Sequence, residues 1–207
     1  MISFIKKFIL PREVDFNEAL LKQAQTSKKM VNDLYQACIN QNKTAHDAIK
    51  ETAQLAREQK SQNMAQLLDV FITPYDKESI YRMITQLDWI TLSVKHFQLE
   101  TEVYDIASLN EYGGIFKILL DMAIALEDGI AQLGAEKLKT IASKTDSIHD
   151  MYDQLVELCA RATADLLKHN DYKHIIQHKD ILLQLKDIAK HIHVTANTLE
   201  DMTIKIV

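Results

Sequence analysis

Phe71-Ile72-Thr73-Pro74-Tyr75-Asp76-Lys77-Glu78-Ser79-Ile80 holds one of the two prolines in this 207-residue chain and interrupts otherwise near-continuous helical patterning. Thr73 has the chemistry of an N-cap. Pro74 suits the first helical position, where its missing N–H costs nothing, and Asp76 at the third position can reach back to a free backbone donor. The stretch predicts a helix that starts at Pro74 and runs to about 98. Capping accounts for these residues structurally. As an interruption between two helices, Thr73, Pro74 and Asp76 are also the candidate partner contact.

Working outward, the same punctuation is scarce elsewhere. The chain has only four glycines and two prolines, too few for the frequent turns that sheets need, so long helices with short connections are favoured. Asp15-x-x-Glu18 and Thr44-x-x-Asp47 repeat the cap-plus-acid pattern and predict helices over about 15–39 and 44–70. Phe116, Leu119, Ala123, Leu126, Ile130 and Leu133 form a fourth apolar seam, with Gly134 placed to end it and Gly113-Gly114 marking its start or a kink upstream. Ile141, Thr145, Ile148, Tyr152, Leu155, Cys159, Ala162 and Leu166 alternate steps of four and three. So do Ile181, Leu185, Ile188, Ile192, Thr195, Leu199, Met202 and Ile206. Such seams also suit a coiled coil, but about six of them on short connections fold back as an antiparallel bundle. The expected fold is all-α: about six long helices in a single domain over residues 1–207, with possible pseudo-repeats at 1–100 and 101–207.

With 47% apolar residues the chain is long enough to bury a real core. Its formal net charge of -5 lacks the basic footprint of a nucleic-acid binder. Cys38 and Cys159 lie far apart and read as small apolar residues in a reducing compartment, with a disulfide as the alternative. No run reaches the roughly 18 apolar residues of a membrane span; Lys117 and Asp121 break the segment Ile115–Leu126. Met1–Leu10 carries two lysines in a short apolar run before Pro11, unlike a signal peptide. Cytoplasm is the expected compartment, peripheral to a membrane at most. Lys6, Lys7 and Arg12 could favour an anionic surface, but three charges bind weakly.

Phe-Ile-Thr-Pro-x-Asp-Lys-Glu-x-Ile at 71–80 resembles the signature of the PhoU-like phosphate transport regulators, in their Pit accessory branch. Phe8-Ile9-Leu10-Pro11-Arg12-Glu13 followed by Phe16 is similar to the family's opening. His178-Lys179-Asp180-Ile181 is similar to the start of its last helix, and Leu199-Glu200 with Ile204-Lys205 to its close. The resemblance implies two three-helix repeats packed side by side. It also implies a cytoplasmic regulator or accessory of phosphate transport that acts by contact with a Pit-type permease.

PhoU-like proteins also carry E/D-x-x-x-D patterns whose carboxylates converge on metal ions. Here much of that pattern is replaced: Leu55, Arg57 and Gln59 in the second helix, Trp89 and Leu92 beside Asp88 in the third, Lys186 and Lys190 beside Asp187 in the last. Asp146-x-x-x-Asp150, with Asp153 a turn on, is the clean pair left. Lysines repel a cation, so no cofactor is expected, and a metal ion, if held, would use Asp146, Asp150 and Asp88.

Other chemistry has little support. His174 and His178 share one face if their segment is helical, and Asp171-x-x-His174 and Asp146-x-x-His149 add carboxylates, but two ligands make a poor metal site. They read as solvated histidines at a loop and helix start. His191 and His193 point to different sides. The Glu-x-x-His tetrad of di-metal bundles is missing, as are G-x-S-x-G, Walker A and G-x-G-x-x-G, so no enzyme is expected. Trp89 is either core or a partner-facing anchor. Competing with a phosphate-transport regulator are a metal-binding bundle and a dimeric interaction scaffold unrelated to phosphate; a homodimer is compatible with each.

Overall fold

A computed structural model describes residues 14–106, 108–135 and 137–204. Six α-helices follow one another among them: α1 Phe16–Cys38, α2 Lys43–Asp69, α3 Lys77–Tyr104, α4 Gly113–Ile130, α5 Leu138–Leu166 and α6 Tyr172–Ile204. Single 3₁₀ turns at Asn110–Tyr112 and Leu133–Ala135 flank α4, and no strand occurs among the described residues. Lys6, Lys7, the Phe8–Glu13 opening, Lys205 and Ile206 lie outside them.

Competition between caps sets the helix starts. Asp15 caps α1 as the sequence predicts, its carboxylate accepting the Glu18 N–H at 3.0 Å. α2 starts one residue before Thr44, because Asn42 takes the cap and accepts the Ala45 N–H at 3.2 Å; asparagine caps at least as well as threonine. α3 starts at Lys77, not Pro74. Asp76 is its cap, accepting the N–H groups of Glu78 at 3.4 Å and Ser79 at 3.3 Å, while the Thr73 hydroxyl donates to the Tyr75 carbonyl at 2.7 Å. The stronger cap wins, and the weaker one closes a local turn.

α3 runs on to Tyr104 and stops where Asp105 adopts the left-handed conformation, φ 53. Gly113 opens α4, settling the glycine pair as a helix start. α4 then ends at Ile130, so Gly134 lies in the following 3₁₀ turn and does not terminate it. α6 begins at Tyr172, well before 181. The Asp171 carboxylate accepts the N–H groups of Lys173 at 3.0 Å and His174 at 3.2 Å, so the segment 172–180 is helical and His178 sits inside the helix.

The apolar seams are the core. All six residues named on α4 and its exit, and the seven α6 seam residues from Ile181 to Met202, are buried; on the α5 seam, Tyr152 and Ala162 are partly buried and the rest buried. Each fully buried Leu, Ile or Phe contributes roughly 1.5–3 kcal/mol relative to exposure.

The main helix pairs are α1 with α3, α3 with α6, α6 with α4 and α4 with α1, a closed ring of four. α2 lies against α1 and α3, and α5 against α4 and α6. Exchanging α1–α3 for α4–α6 leaves this set of pairs unchanged, the arrangement expected of two three-helix units packed side by side. The outer helices bury less: scattered positions such as Ile49 and Leu67 on α2, and the single seam from Ile141 to Leu166 on α5. Phe97 and Phe116 meet edge-on at 5.8 Å across the ring, a favoured aromatic geometry.

Gln23, Asn63 and Ser27, buried inside the first unit, are paired, as burial demands. Gln23 on α1 donates to the Ile84 carbonyl on α3 at 2.8 Å and accepts from Asn63 on α2 at 2.9 Å. Ser27 donates to the Leu87 carbonyl at 3.1 Å. These bonds fix the register of three helices at once. In the second unit Gly129 lets α6 close on α4: a Cβ there would stand 2.9 Å from Leu199 Cδ2.

Candidate functional site

The three aspartates expected to share an ion are not brought together. Asp88 on α3 is paired with Lys60 on α2, Oδ2 to Nζ 2.5 Å, in a hollow that Arg57 and Lys95 also line. Asp146 and Asp150 are exposed on α5, a helix whose main partners are α4 and α6. Lys60, Arg57 and Lys95 make the surroundings of Asp88 cationic, which opposes a metal ion.

Among the described residues, the group of metal-competent side chains lies elsewhere: Glu111, His174 and His178, whose ligand atoms are within 4.8 Å of one another. Helical winding from Tyr172 places His174 and His178 on adjacent turns of one face of α6, with ring centroids 3.9 Å apart. His178 is buried. Its Nδ1 is 2.8 Å from Tyr112 Oη and 3.2 Å from Glu111 Oε1, both carried by the 3₁₀ turn before α4. Burial, helped by neighbouring His174, pushes the His178 pKa down, against the pull of Glu111, so the ring favours its neutral form. Burial and the Glu111 charge push the Tyr112 phenol up. Glu111 and Tyr112 also line a cleft of about 350 Å³ with Arg161, Asp165 and His169.

The two histidines were legible as an i, i+4 pair. Glu111 and Tyr112 carried no signal, being more than sixty residues away on a turn that only packing brings to α6. Asp171, three before His174, works as the α6 cap, and His149 lies 3.7 Å from Glu200 Oε1. His191 and His193 point apart as expected. His191 stacks on Trp89, centroids 5.6 Å apart, and His193 stacks on Tyr152 at 4.6 Å. Trp89 is 46% exposed, so it is a surface ring lying along α6 and not a core residue.

At the expected partner contact, the connection from α2 to α3 is pinned from below and apolar on top. The Tyr75 hydroxyl donates to Asn17 Oδ1 on α1 at 2.6 Å, and the Lys77 ammonium to the Val70 carbonyl at 2.5 Å. Above these ties Leu68, Phe71 and Ile72 are 83%, 87% and 77% exposed. Pro74 is exposed with them, and Thr73 is half-buried.

A ring of four helices flanked by one outer helix on each side is the PhoU-like fold, and the described residues superpose on solved members of that class. A PhoU-like protein from Shewanella oneidensis MR-1 aligns with a TM-score of 0.80 over 92% of this chain and 99% of that one, at 11% identity. PhoU from Pseudomonas aeruginosa aligns at 0.56 over 89% and 93%, at 12% identity. In sequence the chain is similar to the UPF0111 protein YkaA of Bacillus subtilis (strain 168), 24% identical over 190 residues that span 86% of this chain and 91% of the relative. No family model matches the chain.

Proposed function

We propose that this protein is a cytoplasmic regulator or accessory of inorganic phosphate transport that works by docking on a Pit-type permease, without chemistry of its own. The fold supports the regulatory part of this reading: a second Shewanella oneidensis MR-1 structure, of a candidate PhoU-like phosphate regulatory protein, aligns with a TM-score of 0.77 over 91% of this chain and 98% of that one, at 12% identity. The observation that carries the docking part is the α2–α3 connection. Phe71 and Ile72 there, with Leu68 on the last turn of α2, stand in solvent on a backbone held by one tertiary hydrogen bond, Tyr75 to Asn17, and one local one, Lys77 to Val70. Rigid exposed apolar patches mark interaction sites. No helix among the described residues is long and apolar enough to cross a membrane, so attachment to a permease would be peripheral.

Charge supports the same partner. A formal net charge of -5 suits the cytoplasmic loops of a membrane protein, which are biased toward Lys and Arg. The test is paired. Affinity purification from membranes at low salt should recover a Pit-type permease, and deletion of the gene should change phosphate uptake. The reading fails if no permease is recovered and the deletion strain takes up phosphate at the parental rate under both scarce and abundant supply.

A further inference from the structure

We propose that Glu111, His174 and His178 bind a divalent first-row transition ion, with zinc as the reference occupant. This site is separate from the α2–α3 connection and independent of permease docking. Two imidazoles and one carboxylate are the donors such ions favour, whereas Mg²⁺ and Ca²⁺ prefer oxygen shells.

The spacing supports a real coordination sphere. Bonds of about 2.0–2.1 Å at tetrahedral angles put neighbouring ligand atoms roughly 3.3–3.4 Å apart. Glu111 Oε1 and His178 Nδ1, 3.2 Å apart, already span one such edge. His174 completes the set, all three ligand atoms lying within 4.8 Å of one another, so side-chain movement on the order of an ångström or two gathers them around one ion. The anchor is rigid and the others can yield: His178 is buried in α6, His174 is half-buried and Glu111 exposed.

Once Nδ1 is taken, the Tyr112 hydroxyl turns to the Glu111 carboxylate, already within its hydrogen-bonding reach, and orients it from outside the coordination sphere. Three protein ligands would leave one position of a tetrahedral ion for water or an exchangeable group, and Glu111 also lines the cleft it shares with Tyr112, Arg161 and His169.

The full chain without a metal-affinity tag, stripped with chelator, is titrated with Zn²⁺ by calorimetry and with Co²⁺ by visible absorption. One equivalent should bind. Cobalt should show d–d bands that zinc abolishes and excess Mg²⁺ does not. Changes outside the coordination sphere alone cost about 10–100-fold, so His174→Ala and Glu111→Gln should each weaken zinc at least about tenfold. Both sit at yielding positions and should keep the wild-type helical spectrum, which His178→Ala, a core change, need not. The double change Asp146→Asn with Asp150→Asn should leave binding intact. Absence of saturable one-to-one binding, wild-type affinity in both single variants, or loss of the ion in the double aspartate variant would each overturn the proposal.

Discussion

Tyr112 Oη lies 2.8 Å from His178 Nδ1, a buried contact between the turn that opens α4 and the second turn of α6. The two rings also tilt against each other with centroids 5.7 Å apart. This one pair ties the α3–α4 connection to the last helix, so Tyr112→Phe should keep the ring packing and lose only the hydroxyl. A buried hydrogen bond is worth about 1 kcal/mol net, and up to about 3 kcal/mol where its loss strands the partner. Because Glu111 stays within 3.2 Å of the same nitrogen, the lower figure applies. Urea denaturation should show a loss of about 1 kcal/mol with an unchanged m-value. A loss above about 3 kcal/mol would mean that Glu111 does not replace the phenol.

Asp76→Ala should cost about 1 kcal/mol, within the 0.5–2 kcal/mol range for losing an N-cap, and Thr73→Ala clearly less. The structure gives the cap of α3 to Asp76. Equilibrium unfolding of the two variants therefore ranks them. The opposite ranking would return the helix start to Pro74.

Those two caps show what was legible in the sequence and what was not. The seams from Phe116 to Leu133 and from Ile181 to Met202 were readable, because a 3.6-residue period belongs to the chain alone and burial follows it. Helix starts were less so. Thr73 and Asp76, like Thr44 and Asn42, are rival caps a few residues apart, and backbone geometry chooses between them. Gly134 failed as a stop signal because α4 gives way to a 3₁₀ turn without any left-handed residue. Asp88 is held apart from Asp146 and Asp150 for a different reason: α3 and α5 are not main packing partners, and Lys60 from a third helix pairs with Asp88. Glu111 meets His178 only through tertiary packing, which no local spacing encodes.

His193 should make the protein lose stability in mild acid. It stacks on Tyr152, meets His149 edge-on at 4.6 Å, and has Asp153 and Glu200 nearby. Burial, then repulsion from His149, lowers its pKa in the native state against the opposing pull of the two acids. The unfolded chain, with an ordinary value near 6.5, therefore binds more protons between the depressed native value and that pH. Stability from this group is fully present above about 6.5 and falls away as pH drops through the native value. His193→Phe keeps a ring against Tyr152 and removes the titration. Thermal melts over pH 5 to 8 should show a shallower acid decline in the variant, and parallel profiles would refute the assignment.

Cys38 and Cys159 should resist thiol reagents in the native state. Both are free, and burial pushes their pKa values up to about 12 and about 11. The thiolate is the reactive form, so at pH 8 little of either is available. Titration with a chromogenic disulfide should find neither thiol on the timescale of a simple exposed thiol, and both once denaturant is added. Rapid modification of the native protein would show that the α1 terminus or α5 opens readily.

Phe71 and Ile72 should matter for membrane association and not for stability. Each is more than three-quarters exposed, so Phe71→Ser and Ile72→Ser remove almost no buried area, and surface changes of this kind stay within about 0.5 kcal/mol. If the α2–α3 connection is the docking tip, each variant should lower permease recovery from membranes at low salt and leave the melting temperature alone. Salt separates the two contributions. Raising it toward 1 M shrinks the Debye length to roughly 3 Å and removes attraction between exposed charges, while apolar contact persists. Wild-type recovery should therefore fall only partly as salt rises, whereas the double serine variant should lose its residual binding altogether. Equal recovery of wild type and double variant at every salt concentration would move the contact away from this connection, and an apolar self-association abolished by the same substitutions would reassign the tip to a homodimer.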